Sequence, residues 1–138
     1  MPADFYIDAK RGVVFTKAVG LLGRAEAVDH MDRLSRHPDF RPDFNQLADF
    51  RDVSTVNLSS DHVRELASRS VFGPLSQRAF VVSSDLQFGL GRVFGSYRHV
   101  EGEKGIKVFR EMSEALRWLS LPSEPDFKLF TNLCSPPE

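Results

Sequence analysis

The sequence predicts an α/β fold: a mixed, mostly parallel five-stranded sheet flanked by four helices, in the order β-β-α-β-α-β-α-β-α. Three observations predict it. Short apolar or β-branched runs alternate with helical patterns along most of the chain, which implies strand–helix–strand units and a parallel sheet. The first two runs are joined directly at Lys10-Arg11-Gly12, so they pair as a hairpin. Glycine, proline or serine stands at nearly every change of pattern.

Each element has its own warrant. Residues 4–9 and 12–19 form the hairpin: Phe5 and Ile7 alternate with Tyr6 and Asp8, and Gly12 supplies the positive φ of a tight turn. Gly20 and Gly23 bracket a break. Residues 24–37 carry Ala27, Val28, Met31 and Leu34 at helical spacing, and Pro38 ends that helix. Residues 44–50 form the third strand, which runs into the charged Arg51-Asp52 and a turn. Ser59 or Ser60 caps the next helix, and Asp61 suits its positive end. Val63, Leu66, Ala67 and Val71 make its stripe, and Gly73-Pro74 stops it. Residues 78–83 are the fourth strand. Ser84 and Gln87 have capping-box spacing, and the helix behind them carries Leu86, Leu90, Val93, Phe94 and Tyr97 on one side. Residues 101–105 read as a polar turn, 106–109 as the fifth strand and 111–120 as the last helix, with Met112, Ala115, Leu116 and Leu119 inward.

Composition bounds the function. The 138 residues suffice for one domain, expected over 1–121, with a proline-containing extension over 122–138. Phe127, Leu129, Phe130 and Leu133 are too apolar for a free tail, so the extension is expected to dock on the body or on a partner chain. The net charge of −1 gives no pull toward nucleic acid, although residues 62–110 hold eight Lys/Arg against four Asp/Glu. Cys134 is the sole cysteine, which fits a reducing compartment. The start Met1-Pro2-Ala3-Asp4 has no basic, apolar leader, and no apolar run approaches a membrane span. A soluble, cytoplasmic protein is expected. Twelve phenylalanines favour an aromatic core and leave room for an apolar pocket or a dimer face.

Three motifs in order carry a resemblance. They are Leu47-Ala48-Asp49-Phe50-Arg51, then Phe88-Gly89-Leu90-Gly91-Arg92-Val93-Phe94, then Val108-Phe109 leading to Glu114-Ala115-Leu116-Arg117-Trp118-Leu119. With the element order, they resemble the SpoIIAA-like proteins, and in particular the uncharacterised bacterial members. The same fold includes STAS domains (anti-sigma-factor antagonists) and the lipid-binding CRAL-TRIO domains. The resemblance spans roughly residues 4–120. It implies two functions, one a small apolar or lipid-like ligand and the other a protein partner. In phosphorylated STAS antagonists, Asp-Ser-Ser-Gly opens the switch helix. Asn57-Leu58-Ser59-Ser60 occupies those four positions here, with Ser59 alone matching, in the place of the phosphorylated serine. A cap role for Ser59 or Ser60, worth about 1 kcal/mol, is the expectation.

The remaining constellations sort by context. Gly89, Gly91 and Gly95 invite a dinucleotide reading, but they lie inside a helix behind a late strand rather than in a first strand–helix turn. As Gly91 and Gly95 are four apart, they form a smooth strip for close packing, a ligand or a dimer contact. Arg92 is placed to pair with Asp49 or Asp52, or to hold an anionic head group. Asp49, in an apolar strand, needs hydrogen-bonding partners, and Arg51 is the natural one. The four histidines have no metal-ligand spacing, and no nucleophile elbow occurs. No metal or cofactor is therefore expected. The expectation is a non-catalytic binding or regulatory module. Its ligand-binding residues are Phe88, Leu90, Gly91, Phe94 and Tyr97, with Arg92 at the polar end. The alternative is a STAS-type regulator whose partner face includes Asp49, Asp52, Asn57, Ser59, Ser60 and Arg64. A weak hydrolase using Asp49 or Asp52 is the remaining reading. A homodimer and a wrapped monomer explain the apolar tail equally well.

Overall fold

The computed structural model describes residues 3–122. The expected tail contacts of Phe127, Leu129, Phe130 and Leu133, and the extension over 123–138, lie outside the described residues. The elements are β1 (Ala3–Asp8), β2 (Val13–Gly23), α1 (Arg24–Arg36), β3 (Asn45–Asn57), α2 (Ser60–Ser68), β4 (Arg78–Val81), α3 (Asp85–Val100), β5 (Ile106–Phe109) and α4 (Met112–Trp118). They form one sheet in the order β1-β2-β3-β4-β5, antiparallel between β1 and β2 and parallel thereafter. Gly12, at φ 66°, closes the hairpin as its residue type requires.

Strand order fixes where the helices lie. Each parallel connection adds the next strand on the same side, and such crossovers are right-handed. So α1, α2 and α3 all cover one face. There Ala48, Phe80 and Phe94 pack with Val63, Leu66 and Ala67 of α2. α4 follows the last strand and covers the other face, where Leu47, Ala79, Val81 and Phe109 meet Met112, Ala115 and Leu119.

Two strands run longer than the sequence pattern indicates. β2 continues through Gly20 to Gly23, and β3 continues from Phe50 to Asn57. The expected break and the expected turn at Arg51-Asp52 are therefore strand. The reason is a pair of β-bulges. Lys17 pairs with Asp49 but Val19 with Asp52, and Gly20 pairs with Val53 but Leu21 with Thr55. Each bulge adds one residue to β3 and shifts its alternation. A period-2 reading consequently fails at residue 50. Conversely, α2 ends at Ser68, short of Val71, whose side chain still packs beside Leu34 and Phe72.

Candidate functional site

The face under α1, α2 and α3 contains a cavity of about 150 Å³. Its wall is almost wholly apolar. Leu34, Leu66 and Phe80 line its buried part, while Leu22, Val56 and Leu58 are half-buried and mark its shallow end. Plain alternation puts Phe50 of β3 on this wall and Asp49 on the opposite face, and the bulges then bring Val53 and Val56 to the wall and turn Asp52 away from it.

A chain of buried polar groups borders the cavity. His30 Nε2 lies 3.1 Å from Thr16 Oγ1, and Gln46 Nε2 donates to the same oxygen at 2.9 Å. Arg78 Nε donates to Gln46 Oε1 at 3.0 Å, and Arg78 Nη1 reaches Ser70 Oγ and Glu103 Oε1, each at 3.1 Å. Arg98 Nε donates to the same Glu103 oxygen at 2.8 Å, and its other nitrogens reach the carbonyls of Ala67 and Phe72. Burial, with the charges of Arg33 and Arg78 nearby, lowers the His30 pKa to about 4 and keeps the ring neutral at pH 7. Burial also lowers the Arg78 pKa to about 10, against the opposing pull of Glu103, so its charge remains. The Arg78 guanidinium carbon sits 4.2 Å from the Phe72 ring centroid and 5.3 Å from that of Phe94.

The sequence-derived ligand residues divide between several places. Leu90, Gly91 and Phe94 line the cavity. Gly91 is also tight against the sheet: a Cβ there would stand 3.0 Å from a Val108 methyl. Phe88 and Arg92 instead border an open groove between α3 and β5, together with Gly91, Gly95 and the basic Lys104 and Lys107. Tyr97 is exposed, on an outward stripe of α3 with Leu86, Val93 and Val100. The helix thus buries Gln87, Phe94 and Arg98 rather than the side carrying Leu86, Val93 and Tyr97. Arg92 forms no ion pair with Asp49 or Asp52, and its guanidinium lies 6.0 Å from the Phe88 ring centroid. The two aspartates are on the α4 side of the sheet, out of its reach.

The proposed switch face is likewise dispersed. Asp49 is fully buried and takes Lys17 Nζ at 2.9 Å, Arg51 Nε at 2.9 Å, Arg51 Nη2 at 3.0 Å and the Arg51 backbone N–H at 3.0 Å. Burial pushes its carboxyl upward, but the Arg51 and Lys17 bonds outweigh this and hold it below the ordinary carboxylate range. Asp52 is exposed and shares Lys17 at 2.6 Å. Ser59 is the N-cap of α2: its Oγ accepts the His62 N–H at 3.1 Å, and its own N–H meets His62 Nδ1 at 3.2 Å. Asn57, Ser60 and Arg64 are exposed beside it. Ser84 caps α3 through the Gln87 N–H, while Gln87 Oε1 accepts the Ser83 N–H and its Nε2 donates to the Val53 carbonyl. Among the described residues, no group of three or more metal-ligating side chains occurs. Among them too, no helix is long and apolar enough to cross a membrane.

The local sequence pattern does not single out His30, Arg78, Arg98 and Glu103 as site residues. Glu103 falls in the expected polar turn yet is 1 % exposed. Arg78 begins an apolar strand, as Asp49 sits within one, and a charge in an apolar strand is the one signal that marks it.

No family model matches the chain, and no curated protein matches it. Among solved structures it is similar to an uncharacterised protein of the DUF3478 family from Shewanella loihica PV-4, which has a SpoIIAA-like fold. That match has 20 % identity, covers 85 % of this chain and 93 % of the other, and has a TM-score of 0.55. Element order, sheet topology and this likeness agree that the chain has the SpoIIAA-like fold.

Proposed function

We propose that this chain is a non-catalytic binding module that holds a small apolar ligand between the sheet and helices α1, α2 and α3. The observation that carries the reading is the apolar cavity of about 150 Å³ on that face. A dry cavity of about this size is large enough for a benzene-sized molecule. The SpoIIAA-like fold, which suits a binding or regulatory module, supports it. The state of Asp49 supports the non-catalytic part. Both carboxylate oxygens are engaged by cationic donors, which leaves no free acid or base there.

The test is an amide NMR titration with toluene. Leu66, Phe80, Leu90 and Phe94 are expected to shift in a saturable way, while the α4 residues Glu114 and Arg117 stay still. Uniform or absent shifts would remove the reading. Generic acyl and phosphate esters are expected to show no turnover above background, and turnover lost in Asp49→Asn would contradict the non-catalytic assignment.

A further inference from the structure

The polar end of the cavity is Arg78, and its chemistry defines the ligand more closely. A guanidinium has five N–H donors in a planar fork. Arg78 uses Nε on Gln46 and Nη1 on Ser70 and Glu103, and its Nη2 makes no hydrogen bond among the described residues. No fully enclosed side-chain nitrogen or oxygen among those residues lacks a partner, so Nη2 is not enclosed. The residue is only 4 % exposed, and it is one of the residues that line the cavity.

Charge points the same way. Arg78 and Arg98 share one carboxylate, that of Glu103, so the buried cluster carries one uncompensated positive charge. His30 on α1 is neutral and contributes none. Arg33, the other cation near it, is paired with two carboxylates, Asp4 and Asp29, so that group sums to one negative charge and adds no positive one. A buried charge is costly unless it is paired. A carboxylate entering the cavity would meet an unused donor edge and cancel the excess charge, while its hydrocarbon body rests on Phe80, Phe94 and Leu66.

Resting on the binding reading above, we propose that the cavity takes a compact carboxylate with an aromatic or short-chain body, whose oxygen accepts from Arg78 Nη2. Benzoate and toluene separate this proposal from that reading, since they share a ring and differ in the carboxylate. Isothermal titration of the full chain at pH 7 is expected to give benzoate at least tenfold tighter than toluene. The Arg78 side-chain N–H resonances are expected to move with benzoate and not with toluene. In Arg78→Met, with folding checked by circular dichroism, the preference is expected to vanish while toluene still binds. Should that variant not fold, the Arg78 resonances of the wild-type protein decide. Equal or weaker benzoate binding, or Arg78 resonances unmoved by benzoate, would overturn the carboxylate proposal and leave the apolar site standing. A preference kept in folded Arg78→Met would overturn the role of Arg78. Binding of neither compound would overturn both readings.

Discussion

Asp49 and His30 are both buried titratable groups, and the two faces of the sheet treat them in opposite ways. Asp49 is surrounded by cationic donors, so its charged form is favoured despite burial. Its carboxyl is depressed, so its stabilisation is complete above about pH 4 and fades as pH falls through the folded value. Asp49→Asn keeps the shape but loses the charge-assisted bonds, and is expected to cost about 2–3 kcal/mol at pH 7. Urea unfolding of both proteins across the acid range checks this; equal stabilities at neutral pH would refute it. His30 is deprotonated by burial, with a pKa of about 4. The unfolded ring titrates near about 6.5, so between about pH 6.5 and pH 4 the unfolded state binds more protons and native stability falls on acidification. The total is on the order of 3 kcal/mol. His30→Asn should flatten that part of the pH profile, and an unchanged slope would show that another group produces it.

At the scale of elements, caps and close approaches decide where structure starts. Ser59 holds the first turn of α2 through His62. Ser59→Ala is expected to cost about 1 kcal/mol, whereas Ser59→Asp keeps a capping oxygen and costs little. Thermal unfolding of the pair checks this, and equal losses in both would argue against a cap role. The start of β5 depends on a missing side chain. A Cβ at Gly105 would lie 2.2 Å from the Ser76 carbonyl oxygen, beside the bond from Arg78 N–H to the Gly105 carbonyl at 2.7 Å. Gly105→Ala must push β5 away from β4 and is expected to destabilise by about 1–3 kcal/mol. Hydrogen exchange should show the loss first at the amides of Arg78 and Phe80.

At the scale of the whole molecule, the right-handed crossovers gather three helices on one face, and the cavity lies beneath them. Filling it should remove the ligand site without unfolding the protein. Val63, on α2 at the cavity wall, is buried, and Val63→Phe directs a ring inward. Toluene affinity is expected to fall at least tenfold with little change in the thermal midpoint. Retained affinity in a folded variant would place the ligand elsewhere.

Much of this was legible without coordinates. The hairpin at Gly12, the strand–helix alternation, the capping serines and the partnership of Arg51 with Asp49 all rest on contacts within a few residues, which the local pattern of residue types encodes. Of the residues expected to bind a ligand, Leu90, Gly91 and Phe94 line the cavity, because they share one face of a helix. What the local pattern lacks is register between distant segments. The bulges in β3 are set by pairing with β2, and they decide that Val53 faces the cavity while Asp52 faces away. Arg78, Arg98 and Glu103 come from a strand, a helix and a turn; Arg98 and Glu103 alone read as surface charge, and Arg78 is marked only by its place at the start of an apolar strand. Only packing removes water from all three together, and their chemistry as a cluster exists only once it has done so.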